Sequence, residues 1–167
     1  MPPIPIRCRP GTDWTCREVL DANAIDPTGR SSCEFCGTRI RWIHVLEHDN
    51  YHRTVEAGCC CAARLCFEYN AEGAEREAKN RAGRTMRFVD PRRWARSKSN
   101  PENIWRFARL PDGRKVRVTV FLKDGRYSIY LAGREVSDRF CHWEKYASQA
   151  EAVSVAFELI EKLKDDP

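Results

Sequence analysis

Two short cysteine groups carry the clearest chemistry. Cys33 and Cys36 stand in "CEFCG", and Cys59, Cys60 and Cys61 in "GCCCA". A C-x-x-C pair turns two thiolates onto one metal ion, and the glycine that follows permits the tight backbone such a knuckle needs. The second pair is expected from "GCCCA", at the start of a helix, where the positive end of the helix dipole favours thiolate. The spacing thus predicts Zn2+ held by Cys33, Cys36, Cys59 and Cys61, with Cys60 pointing away. His44 or His48 is the alternative for one of the later cysteines. Four protein ligands close the coordination sphere, which favours an ion that folds the chain rather than one that does chemistry.

The stretch "HVLEH", His44 to His48, matches the H-x-x-E-H order of inverted zinc peptidases. That chemistry needs a helix, so that both histidines converge on the metal and the glutamate activates water. Arg39 to Glu47 instead alternates Ile40, Trp42, His44 and Leu46 with Arg41, Ile43, Val45 and Glu47, and is rich in β-branched and aromatic residues. That pattern predicts a strand, on which Glu47 faces away from both histidines. A metal-dependent hydrolase of nuclease type using His44, Glu47 or His48 is therefore a secondary reading, and a non-enzymatic protein is favoured. No Ser/His/Asp order, phosphate-cradling glycine loop or paired carboxylates support an enzyme.

The elements that must position these residues follow from punctuation and periodicity. Residues 1–30 form an N-terminal segment in which Thr12 or Asp13 caps a short helix through "TDWTCREVLDAN"; Cys8 and Cys16 there are read as packing. Residues 31–84 form the metal unit: knuckle, hairpin ("HDNYHR" as its turn, Thr54 to Ala57 as its return), then one helix through "CAARLCFEYNAEGAEREAKNRA". Residues 85–103 read as a basic connector. In 104–167, the runs "NIWRFARL", "RKVRVTVFL" and "RYSIYLA" are separated by "PDG" and "KDG", which are hairpin signals; "GREVSDRFCHW" adds a strand. Ser148 and Glu151 cap a final helix whose stripe Val153, Ala156, Phe157, Ile160 and Leu163 must cover one sheet face. The fold class is α+β: a small treble-clef zinc unit followed by an antiparallel meander covered by a C-terminal helix.

"CEFCGTRIRWIHVLEH" followed by "VEAGCCCA" resembles a group of small uncharacterised bacterial and phage-associated proteins with a C-x-x-C-G knuckle, an H…EH-like hairpin and a G-C-x-C-A element. The resemblance is specific over roughly residues 33–66. It implies a zinc-binding fold and transfers no activity.

Charge supplies the functional expectation. Residues 76–117 hold 14 Lys/Arg against 4 Asp/Glu, while the whole chain nets only +5. Such a segment fits a polyanion, because each neutralised phosphate releases counterions. Arg76, Lys79, Arg81, Arg84, Arg87, Arg92, Arg93, Arg96, Lys98 and, on the sheet, Arg117 are the candidate contacts, with Trp94 a candidate stacking ring. DNA or RNA is the expected partner; a protein-interaction adapter or inhibitor using the zinc unit is the alternative. No apolar run is long enough for a membrane span, and "MPPIPIRCRPGTDW" lacks a signal peptide's apolar core, so a cytoplasmic protein without membrane partner is expected. There, nine cysteines, an odd number, favour metal over disulfides.

Overall fold

The computed structural model describes residues 13–26, 28, 30–110, 113–133 and 140–165. The chain is α+β and divides into two units, Met1–Gly83 and Arg84–Pro167. Among the described residues no helix is long and apolar enough to cross a membrane.

The first unit is built on an antiparallel sheet of β1 (Thr15–Asp21), β2 (Trp42–His48) and β3 (Tyr51–Ala57), in that order. The expected helix over "TDWTCREVLDAN" is corrected. Its residues pair with β2, Val19 opposite His44 and Leu20 opposite Ile43, and only Ala22–Ile25 (α1) is helical. A register shift between Cys16 and Glu18 breaks the period-2 alternation, so the segment does not look like a strand in sequence. Cys16 packs half-buried on the core; Cys8 lies outside the described residues.

After β3 the single expected helix is two: α2 (Cys59–Leu65) and α3 (Ala71–Val89). Cys66 is extended, Glu68 takes a positive φ of 54°, and Asn70 Oδ1 accepts from Gly73 N at 2.9 Å, restarting the helix. The core of this unit is made largely of small side chains: Cys33, Ala57, Ala62, Cys66 and Ala71 around Leu46, Val55 and Leu65. Its larger side chains Trp14, Phe35, Ile40, Tyr51 and Tyr69 are only partly buried against this cluster, and a unit so small commonly needs a staple.

The second unit is a five-stranded antiparallel meander: β4 (Ala95–Arg96), β5 (Ile104–Arg109), β6 (Lys115–Lys123), β7 (Arg126–Gly133) and β8 (Phe140–Tyr146). Asp124 and Gly125 both have positive φ, 53° and 74°, as a tight hairpin between β6 and β7 requires. α4 (Gln149–Asp165) starts where Glu151 N donates to Ser148 Oγ at 3.2 Å. Its Ala152, Val153, Ala156, Phe157 and Ile160 cluster with Val116, Val118, Val120, Ile129 and Leu131 from one sheet face. The 85–103 stretch, expected as a basic connector, holds several elements. It completes α3, forms a 3-10 turn at Pro91–Arg93, inserts Trp94 into this core and supplies β4.

Candidate metal centre

The "CEFCG" segment folds as a hydrogen-bonded turn. Gly37 N donates to Cys33 O at 2.8 Å, Cys33 N donates to Thr38 O at 2.8 Å, and Gly37 takes φ +72°, a conformation favouring glycine. The turn is tied to β3: Glu34 N donates to Glu56 O, Glu56 N donates to Glu34 Oε1, and Arg53 binds both carboxylate oxygens of Glu34. Arg53 beside it holds the Glu34 carboxyl below its usual range. This clamp sets Cys33 and Cys36 facing α2.

Cys33, Cys36 and Cys61 place their Sγ atoms all within 4.8 Å of one another. Cys33 is buried and Cys36 exposed. Thr38, whose Oγ1 lies 3.3 Å from Cys36 Sγ, lowers the Cys36 thiol to about 7; Cys61 is pushed up to about 12, by burial first and then by Cys33 and Cys36. One thiolate therefore forms readily near neutral pH, and the last is opposed by the charges already present. A cation among the three sulfurs removes that opposition, and a soft divalent ion suits three thiolates. The donor set fits a metal.

Cys59, expected as a ligand beside Cys61, is not among these three sulfurs. It lies instead with His44 and Glu75, whose ligand atoms are also all within 4.8 Å of one another. Helical geometry is the reason: residues 59 and 61 sit about 200° apart around α2, so they face opposite ways. His44 is wholly buried on β2, and its Nδ1 lies 2.9 Å from the Tyr69 hydroxyl. Both three-residue groups could hold a metal ion.

No family model, curated protein or solved structure matches the chain.

The remaining candidates are placed as follows. His48 packs against Trp14, ring centroids 5.1 Å apart, and Nδ1 accepts from Asn50 N, so it joins neither group. Glu47 pairs with Arg17 at 3.3 Å, leaving the H-x-x-E-H order on a strand without convergent ligands. Arg76, Arg81, Arg87, Arg96, Lys98 and Arg117 are exposed. Lys79 binds Glu75, Arg84 binds Glu161 at 2.8 Å, and Arg92 and Arg93 flank Asp90. Trp94 is corrected as a stacking ring: it is 8% exposed, its Nε1 donates to Phe88 O at 2.8 Å, and its ring meets Phe88 edge-on. Its bulk is consumed by the core.

Two features escaped the sequence reading. Glu75 carries no local signal, being brought to His44 only by the packing of α3. Phe107 on β5 could have been found from period-2 spacing, since it falls with Trp105 on the face opposite Ile104.

Proposed function

We propose that the chain is a metal-stabilised, non-enzymatic nucleic-acid-binding protein. Zinc held by Cys33, Cys36 and Cys61 in treble-clef fashion (knuckle, hairpin, helix) folds the first unit, and the basic segment supplies the contacts to DNA or RNA.

The observation that carries this reading is a set of rings and cations on the sheet face opposite α4. Trp105 and Phe107 meet edge to face with centroids 5.7 Å apart, and the Arg117 guanidinium stands 4.7 Å from the Trp105 ring centroid. Phe107, cross-strand partner of Arg117, is 57% exposed. Arg109 and Lys115, paired directly across the same strands, are exposed on the same face. The opposite face is filled by Val116, Val118 and Val120 against α4. Aromatic rings with surrounding cations suit unpaired bases, because every base offers a π-face and each phosphate a charge to neutralise.

Beside Phe107 a recess of about 200 Å3 is lined by Arg87, Arg93, Arg106 and Arg109. Arg106 is anchored, donating to Phe88 O at 2.8 Å and lying 4.7 Å over the Phe88 ring. Such a recess suits a backbone phosphate at the edge of the aromatic face.

The test is titration of labelled single-stranded DNA and RNA at increasing salt. Affinity should fall linearly on logarithmic axes, and Arg117→Ala should reduce the slope by about 0.7. Affinity unchanged between about 50 and 200 mM salt rejects the proposal.

A further inference from the structure

We infer that His44, Cys59 and Glu75 form a second metal site, separate from the thiolate trio, that takes a divalent cation of the zinc and cobalt class and keeps one coordination position for water.

The first support is a buried nitrogen without a partner. His44 is 0% exposed, and its Nε2 makes no hydrogen bond. A buried polar atom left unpaired costs about 1–3 kcal/mol, so such atoms are rare without a compensating function. The nearest acceptor, Glu75 Oε2, is 3.8 Å away, too far for a hydrogen bond.

The second support is how the ring is held. Nδ1 lies 2.9 Å from Tyr69 Oη, so with Nδ1 protonated the hydroxyl accepts and the Nε2 lone pair points at Cys59 and Glu75. A ligating histidine is commonly fixed this way, by a partner on its other nitrogen. Glu75 is likewise oriented: Lys79 Nζ sits 2.5 Å from Oε1, while Oε2 faces the imidazole.

The third is donor chemistry. Ligand atoms around a tetrahedral ion with bonds of about 2.0–2.3 Å stand roughly 3.3–3.8 Å apart. The three atoms, all within 4.8 Å, need only a small closure. A neutral imidazole, a thiolate and a carboxylate sum to two negative charges, matching a divalent cation. Binding by the thiolate releases the Cys59 proton to water. Nitrogen, sulfur and oxygen donors together suit zinc or cobalt rather than magnesium or calcium. Three protein ligands leave the fourth position to solvent, unlike a closed structural site.

This inference does not rest on nucleic-acid binding or on the trio holding its own ion. The experiment is titration of the metal-free full chain with cobalt(II), read by its thiolate charge-transfer and d–d absorption, with zinc content checked by elemental analysis. The wild-type chain should show a mononuclear class of site that disappears in Glu75→Gln and weakens at least tenfold in Cys59→Ser. It should survive in Cys36→Ser, which removes the trio's ion instead. Glu75→Gln retains side-chain volume at a half-buried position, and far-UV circular dichroism verifies that it folds. Cobalt spectra and stoichiometry identical in wild type, Glu75→Gln and Cys59→Ser would overturn the inference, whatever Cys36→Ser does.

Discussion

Cys36→Ser isolates the energetic weight of the metal from that of packing. Cys36 is exposed, so its sulfur contributes little to the core, and a surface exchange of this size changes stability by about 0.5 kcal/mol or less. In metal-free protein the variant and the wild type should therefore coincide. With metal bound, the ion cross-links Cys33 and Cys36 to Cys61, closing a loop of about 28 residues. The chain-entropy relation for a cross-link of that length gives about 3.6 kcal/mol at room temperature. That is a floor, because apparent zinc-binding energies of small thiolate sites reach about 10–16 kcal/mol. A unit of this size has a total stability of only about 4–12 kcal/mol. The variant should thus lose at least about 3 kcal/mol, a large share of that margin. Hydrogen exchange read by mass spectrometry localises the effect. With zinc present, β2 and β3 amides should exchange at least about 100-fold faster in the variant, while β6 and β7 amides, in the other unit, should be unchanged. Equal protection of β2 and β3 in zinc-loaded wild type and variant would refute the reasoning.

Three further outcomes follow from particular contacts. Phe107→Ala should weaken single-stranded oligonucleotide binding by roughly tenfold, from the 1–3 kcal/mol typical of a base stack; since the ring is 57% exposed, the thermal midpoint should barely move. Trp94→Ala should destabilise the second unit by about 3–5 kcal/mol in a urea melt, from the cavity it leaves, and the indole hydrogen bond to Phe88 O is lost with it. Asp90, whose carboxylate accepts from Arg92 N at 3.0 Å and stands beside the Arg92 guanidinium, is held below the usual carboxylate range. Its folded-state value being depressed, its contribution is present above the ordinary aspartate value and is lost as pH falls through the lowered one. Carboxyl NMR should show Asp90 titrating below ordinary aspartates, and an ordinary midpoint would refute the capping role.

How far sequence could lead depends on where each signal resides. β5, β6, β7 and α4 were legible because their cues are local: Asp124–Gly125 at the turn, Ser148 and Glu151 at the cap, and an apolar stripe of helical period. Cys33, Cys36 and Gly37 were legible for the same reason, since knuckle geometry lies within five residues. β1 was not, because a bulge scrambles its alternation and its partner β2 begins over twenty residues later. Trp94 was grouped with the basic contacts by charge context: Arg92, Arg93, Arg96 and Lys98 surround it in sequence, yet the 3-10 turn started by Pro91 directs the ring inward while Arg92 and Arg93 stay outside. Glu75 was invisible, because only the folding back of α3 defines its neighbours.

The cysteine triplet shows how helix geometry groups the candidate ligands differently from the pattern. Taking Cys59 and Cys61 as one pair assumes that alternate residues share a side, which holds on a strand of period two. In α2 each residue advances about 100°, so Cys59, Cys60 and Cys61 point in three directions. Cys61 faces the knuckle, Cys60 is exposed, and Cys59 turns toward β2 and α3, where His44 and Glu75 stand. A single helical turn thus serves two donor sets, a sulfur-only set beside the knuckle and a mixed set around a buried imidazole. The same geometry makes their losses separable: removing Cys36 strips only the first set, and removing Glu75 strips only the second. A triplet serving one four-cysteine site would make Cys59 and Cys61 equally necessary to the same ion, which metal content of the two serine variants distinguishes directly.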